Sequence, residues 1–262
     1  ASRSLLIGKD VGRMRPLDRL LMLVSAVAAL VPGGTQKTVD HRPIEHLIDL
    51  DEPGMDLVRE WLSDASNPVV VLDGSRHAGE RSLLALQISS RSPMGGLALE
   101  TGGLLVDGGW VRVLGSGNAR LPRAIDAWNA LDDDGGHRSR GMMLVGDDAV
   151  AGFFAVNGGA IDGPLGHVYY FAPDSLAWSD IAESYSAWLH WLFHGDLEDF
   201  YQGLRWPGWR EEIESLGGDR AYSVYPFLWA EGPAIGERSR RDIPIDELWG
   251  LNTVEFPKQL GR

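Results

Sequence analysis

The 262-residue chain contains no cysteine, and it contains no lysine between Lys37 and Lys258. The absence of cysteine excludes disulfide bonds, thiol catalysis and thiolate metal sites. The segments of strand-like composition carry no histidine in their apolar cores. With so few nucleophiles and bases beside ten tryptophans and 33 glycines, the sequence favours a recognition scaffold over an enzyme and predicts no cofactor.

Acidic residues outnumber basic ones, and the excess is unevenly placed. The formal charge is −13, but residues 1–43 hold seven Lys or Arg against three Asp, a local charge of +4 that leaves −17 for the rest. A body this negative repels phosphate backbones, which disfavours direct binding to nucleic acid. It would attract a basic protein partner, such as a toxin domain. The alternative is that the acidic excess only keeps the protein soluble.

The segment 14–34 has the parts of a secretory signal. Basic residues precede an uncharged run of twelve, Leu20–Val31, and Pro32-Gly33-Gly34 ends it. Twelve residues are too few to span a bilayer as a helix, which needs about twenty, so no stable membrane span is expected. A buried or amphipathic N-terminal helix is the alternative. A cytoplasmic location is favoured, and a periplasmic or secreted one follows if residues 14–34 act as a signal.

Residues 42–262 are predicted to form a single α+β domain, with residues 1–41 as an extension that is either signal-like or disordered. Glycine pairs suited to tight turns separate several short apolar runs. Their short connections predict a predominantly antiparallel or mixed sheet, because parallel strands need crossovers of about a dozen residues. Helices within residues 184–216 are expected to cover one face and to bury Trp188 and Leu192. The strands predicted in this block are Leu97–Glu100, Leu104–Val106, Trp110–Leu114, Met142–Val145, Gly152–Val156 and Val168–Phe171, with a later strand at Tyr222–Trp229.

Five residues are candidates for binding a partner. Asp147 and Asp148 follow a predicted strand, where they are expected to end a hairpin and to present negative charge. Ser116 and Asn118 lie in a glycine turn that exposes the backbone. Trp191 lies on the flank of its helix opposite Tyr185 and is predicted to be the exposed member of an otherwise buried aromatic series. Replacing both aspartates by Asn is expected to slow association and to leave the fold intact.

A metal site is a weaker alternative. His190 and His194 are four residues apart and would share one helix face, as two metal ligands can, and Asp196 and Glu198 follow closely. However, His194 lies at the helix end, where a histidine complements the helix dipole. The favoured interpretation is therefore that no metal is bound.

Seven motifs of this chain resemble the signature of an uncharacterised bacterial family: Arg42–Glu45, Arg91–Gly95, Glu100–Gly117, Phe153–Gly159, Val168–Trp178, Phe200–Trp209 and Tyr225–Trp229. The order of the central strands and glycines is, more distantly, similar to that of the SUKH superfamily. That resemblance implies an α+β fold with a mixed sheet backed by helices. It also implies an immunity-type function, in which the protein binds and neutralises a toxin. The family has no catalytic residues to carry over.

Two functions are therefore expected. The first is protein–protein recognition by an acidic domain, of the immunity type, with a basic toxin as the partner. The second is a periplasmic protein that binds or hydrolyses a ligand or glycan through acidic residues and exposed tryptophans. The strong negative charge favours the first, whereas glycan hydrolysis needs two carboxylates spaced across one cleft.

Overall fold

The computed structural model describes residues 41–131 and 138–261. The nine α-helices of these ranges are α1 (Gly54–Ser63), α2 (Arg76–Leu86), α3 (Pro93–Glu100), α4 (Ile125–Trp128), α5 (Tyr185–His194), α6 (Leu197–Phe200), α7 (Trp209–Glu214), α8 (Ile245–Gly250) and α9 (Phe256–Gln259). Short 3₁₀ turns occur at Ile44–His46, Asp107–Gly109 and Ile235–Glu237, and a π-helical stretch, Leu251–Glu255, links α8 to α9.

The strands are β1 (Val69–Asp73), β2 (Thr101–Val106), β3 (Val111–Leu114), β4 (Met142–Asp148), β5 (Phe153–Asn157), β6 (Val168–Ala172), β7 (Ala177–Ala182), β8 (Arg220–Tyr225) and β9 (Ser239–Pro244). The first seven form one sheet in which each strand pairs antiparallel with the next in sequence. The last two form a separate antiparallel hairpin. The predicted α+β class and the antiparallel pairing are therefore confirmed.

Helix α5 packs on the large sheet and supplies much of its core. Ser184 caps the helix by accepting a hydrogen bond from the Ala187 amide at 3.1 Å. Trp188 and Leu192 are completely buried, as predicted. The Trp188 ring lies 5.2 Å from that of Phe154 on β5, centroid to centroid. This helix therefore anchors the following turns and α6 at one end of the sheet.

Two strand predictions were wrong. Leu97–Glu100 belongs to α3, because Ser92 accepts a hydrogen bond from Gly95 N at 2.9 Å and Pro93 suits the first helical position. The strand predicted at Tyr222–Trp229 stops at Tyr225, where Pro226 follows. Its partner β9 was not predicted, because its polar, arginine-rich sequence lacks the apolar run of a buried strand.

The segment 14–34 lies outside the described residues, so the signal and domain-boundary predictions stay predictions. Within the part of the chain that the structure covers, no helix combines the length and apolarity needed to cross a bilayer.

Gly79 lets α2 approach α3 closely. A Cβ atom at this position would collide with the Leu99 carbonyl oxygen. We therefore expect Gly79→Ala to lower the free energy of unfolding by about 1–3 kcal/mol, because backbone must shift to relieve the overlap. Gly250 is the matched control, since it has helical backbone angles and open space where an added methyl group would lie. Urea unfolding of both variants tests this, and equal midpoints would contradict the close approach.

Candidate recognition cleft

The side chains of Asp147 and Asp148 are completely buried at the end of β4. The expectation that this pair presents charge to a partner is therefore wrong. Because each carboxylate is part of an internal hydrogen-bond network, we now expect that replacing both residues would destabilise the fold. Sequence reasoning missed this because it did not pair the two aspartates with arginines elsewhere in the chain.

Asp147 is clamped by two buried arginines. Arg112 lies opposite it on β3 and donates Nε–H to Oδ1 at 2.6 Å, while Arg123 donates Nη1–H to Oδ2 at 2.5 Å. Burial lowers the pKa of Arg123, and Asp147 opposes that shift by favouring the charged guanidinium. The two arginines also donate to the carbonyl oxygens of Arg220 and Gly218, each at 2.7 Å. Asp147 thus connects the large sheet to the start of the β8–β9 hairpin.

Asp148 organises the turn between β4 and β5. Its Oδ1 accepts hydrogen bonds from Val150 N at 3.0 Å and Gly152 N at 2.8 Å, and its Oδ2 accepts from the Tyr170 hydroxyl at 2.7 Å. Burial raises the pKa of Asp148, and the hydrogen bonds partly offset that shift. Burial likewise raises the pKa of Tyr170 well above its usual value. Through these hydrogen bonds, Asp148 holds the turn between β4 and β5 against Tyr170 on β6, which is a structural role.

Ser116 and Asn118 tie strand ends together. Ser116 is buried and donates to the Thr101 carbonyl oxygen at 2.8 Å. Asn118 is half-buried, and its amide donates to the Asp73 carbonyl oxygen at the end of β1, also at 2.8 Å. Of the two, only Asn118 has surface that a partner could reach.

The prediction that Trp191 is exposed was wrong, since 9% of its surface is accessible. Its ring meets that of Phe200 at 4.8 Å, nearly edge to face. Helix α6 therefore covers the flank of α5 that a helical wheel drawn for α5 alone leaves open.

His190 and His194 stack on each other with centroids 4.3 Å apart. The Nε2 atom of His194 lies 3.0 Å from Asp64 Oδ1, and burial together with His194 lowers the pKa of His190. Asp196 caps α6 by accepting from Asp199 N at 2.9 Å. Among residues 41–131 and 138–261, no three His, Asp or Glu side chains form a group that could hold a metal ion.

A different site forms where Asp107–Trp110 meets Gly203–Trp209, around the guanidinium of Arg205. This guanidinium donates to Asp107 Oδ2 at 2.6 Å and to Glu198 Oε2 at 2.7 Å. Only 5% of the Arg205 side chain is exposed. Three aromatic rings surround it, with centroids at 4.3 Å from the guanidinium carbon for Trp209 and 5.0 Å for Trp110 and Tyr201.

The backbone at Asp107 is held in an unusual conformation. Asp107, Gly108 and Gly109 have φ values of 50°, 72° and 99°. Glycine accepts positive φ without cost, but for aspartate it is uncommon and is often found at functional sites. In this conformation the Asp107 carboxylate lies between two guanidiniums. Its Oδ2 atom accepts a hydrogen bond from Arg205, and its Oδ1 atom accepts one from Arg210 at 3.1 Å.

Three surface depressions meet at this centre, and Glu198 and Arg205 line all of them. The largest two each enclose about 470 Å³, and the third encloses about 360 Å³. Asp107, Arg210 and Glu214 line the one that faces α7. We refer to the three depressions together as the Arg205 cleft.

The rim of the Arg205 cleft is acidic. Residues 196–214 contain six Asp or Glu against two Arg and no Lys or His. Five of the acidic side chains are exposed and line the cleft: Asp196, Glu198, Asp199, Glu211 and Glu214. Because Asp107 and Glu198 already neutralise Arg205, the surface that a ligand meets is negative.

Arg205 and Arg210 differ in how firmly they are held. Breaking a buried ion pair by removing one partner costs about 3–5 kcal/mol, so Arg205 is a fixed part of the floor. Arg210 is 56% exposed and keeps one hydrogen bond to Asp107, with its guanidinium 4.1 Å above the Trp209 ring. Asp107 keeps its ion pair with Arg205 when Arg210 leaves, and an ion pair whose arginine is solvent-exposed contributes about 0–1 kcal/mol. Arg210 can therefore leave its position at little cost.

The fold and the cleft define an acidic α+β protein with an arginine-centred surface site. The chain belongs to the family described as protein of unknown function DUF2625, whose model matches residues 44–248. It is 38% identical over 210 residues to the uncharacterized Escherichia coli (strain K12) protein YbfG, covering 80% of this chain and 95% of that protein. An uncharacterized Haemophilus influenzae protein (strain ATCC 51907 / DSM 11121 / KW20 / Rd) is 33% identical over 218 residues, covering 82% and 95%. The predicted membership in an uncharacterised bacterial family is confirmed.

In the sequence, both segments of the cleft were identified as parts of the motifs Glu100–Gly117 and Phe200–Trp209, but no function was assigned to them. The signal that was available is an arginine within a segment rich in aromatic residues, Tyr201–Trp209, together with an aspartate before two glycines at Asp107. Nothing local indicates that these segments, about a hundred positions apart, pack against each other.

Proposed function

We propose that this protein is a protein–protein recognition domain that binds a basic partner at the Arg205 cleft. The observation that carries the proposal is the exposed acidic rim over a rigid aromatic floor. Complementary charge speeds association and selects the partner. A fixed floor lowers the conformational cost of binding.

The partner class proposed is a basic toxin, which the protein would neutralise as an immunity-type protein. The distant resemblance to the SUKH superfamily supports this assignment, as does the net charge of −17 on residues 44–262. The glycan alternative invoked Asp147, Asp148 and exposed tryptophans, but both aspartates are buried, and so is Trp191, the tryptophan that was predicted to be exposed. No contact in the described ranges favours that alternative, and we do not propose it.

The test compares two triple variants that remove the same amount of charge. One changes Glu198, Glu211 and Glu214 to Gln, and the control changes the exposed residues Glu45, Glu60 and Glu247 to Gln. Both are used as bait in lysate of the native host at about 50 mM and about 500 mM NaCl, since salt screens exposed charges.

We expect the native bait and the control variant to retain a basic protein at low salt, and the cleft variant to lose it. With that protein purified, its association rate should fall about tenfold for the cleft variant. Equal retention by both variants, or a partner whose binding is unaffected by salt, would contradict recognition at this rim. Circular dichroism confirms that each bait is folded.

A further inference from the structure

Arg210 occupies a position suited to a ligand. Its guanidinium lies 4.1 Å above the Trp209 ring and donates Nη1–H to Asp107 Oδ1 at 3.1 Å. Asp107 and Arg210 both line the acidic depression that Glu214 borders. The chain thus places one of its own cationic side chains against a carboxylate and an aromatic face that open into the cleft.

The geometry points to this position as a binding site for an arginine side chain of the partner, with Arg210 as an internal stand-in that the incoming arginine replaces. The inference rests on the proposed function and specifies its partner chemistry. Arg205 fills the adjoining position permanently, since it is buried among three rings and two carboxylates. Arg210 is more than half exposed and can swing into solvent.

The site suits guanidinium better than ammonium. A planar guanidinium can stack on the Trp209 ring and at the same time donate in its own plane to the Asp107 carboxylate. A lysine ammonium is a compact, strongly hydrated point charge that cannot do both with the same geometry. Trp209 is only 7% exposed with Arg210 in place, so the ring face becomes available mainly when Arg210 moves.

The charge balance also favours exchange. With Arg210 in place, Asp107 is shared between two guanidiniums. When Arg210 swings out, the partner's arginine restores that arrangement, and the remaining guanidinium donors face the acidic rim at Glu214 and Glu198. The exchange therefore keeps the Asp107 carboxylate between two guanidiniums, while water solvates the displaced Arg210 side chain.

The experiment uses the full chain and two blocked nine-residue peptides of Gly and Ser. One carries three arginines, and the other carries three lysines at the same positions. Calorimetric titrations at low salt compare the native protein with Arg210→Ala and with Arg241→Ala, a control that removes an exposed arginine from β9. Removing Arg210 makes the protein more negative and so strengthens its binding to any cationic peptide. The lysine peptide measures that general effect of charge.

We expect Arg210→Ala to bind the arginine peptide about tenfold more tightly than the native protein does. The gain for the lysine peptide should be much smaller, and Arg241→Ala should match the native protein. Equal gains for the two peptides, or no gain for the arginine peptide, would overturn the exchange at Arg210. If both peptides bind and only the triple Gln variant of the cleft loses them, the proposed function stands without this inference. If neither peptide binds any form, both fail.

Discussion

Replacing Asp147 by Asn is expected to lower the free energy of unfolding by about 3–5 kcal/mol, because it leaves two buried arginines without their counter-ion. Arg112 and Arg123 are 2% and 7% exposed, so water cannot replace the lost carboxylate. The amide offers one acceptor oxygen where the carboxylate offers two. The damage should extend to the β8–β9 hairpin, since the same arginines donate to the carbonyl oxygens of Gly218 and Arg220.

The adjacent substitution, Asp148→Asn, is the matched control. The folded-state pKa of Asp148 lies above its ordinary value of 3.8, because burial penalises the charged carboxylate. A carboxyl group whose pKa is raised by folding favours the folded state below the unfolded pKa and loses that contribution as the pH rises through the folded pKa. As the pH rises from the unfolded pKa of Asp148 to its folded pKa, the native protein should therefore lose stability relative to the Asp148→Asn variant. Asp147→Asn should remain strongly destabilised at neutral pH.

Urea denaturation between about pH 4 and pH 8 measures both effects, with the midpoint and the slope read separately. Equal stability losses for the two variants at neutral pH would show that the Arg112–Asp147–Arg123 network does not make the contribution assigned to it. Hydrogen exchange at Tyr222, whose amide donates to the Ala149 carbonyl oxygen at 2.8 Å, reports on the hairpin directly.

Replacing Arg205 by Ala is expected to lower the free energy of unfolding by about 3–5 kcal/mol and to remove the cleft as a defined site. The substitution deletes a side chain that fills the space among Trp110, Tyr201 and Trp209. It also leaves the buried carboxylate of Asp107 with Arg210 alone. The Asp107 side chain then loses the shorter of its two ion pairs.

Arg210→Ala provides the comparison, since it removes the same functional group from the same carboxylate at an exposed position. We expect it to change the unfolding free energy by about 0–1 kcal/mol. Thermal and urea unfolding of both variants, followed by tryptophan fluorescence, would separate the two arginines. A loss in Arg210→Ala as large as in Arg205→Ala would mean that Arg210 is a fixed structural group, and the proposed exchange would have no physical basis.

Short-range signals determined a large part of this fold. Ser184 and the apolar positions after it predicted α5 and the burial of Trp188, because capping and helical periodicity are local properties. Glycine pairs and short connections predicted antiparallel pairing, because the chain has no room for a crossover. The same local signals failed at Leu97–Glu100, where the apolar run fits a strand or a buried helix, and the Ser92 cap decides between them.

The strong negative charge and the absence of cysteine could also be established from the sequence alone, since neither depends on folding. Which carboxylates face solvent could not, because burial of a charge depends on a partner far away in the chain. Asp147 is buried because Arg112 and Arg123 neutralise it, whereas Glu198 and Glu214 remain on the surface at the rim of a cleft. Asp107 and Arg205 meet only because the large sheet brings the start of β3 beside the turns after α6. Tertiary packing therefore decided which acidic residues belong to the fold and which remain available to a partner.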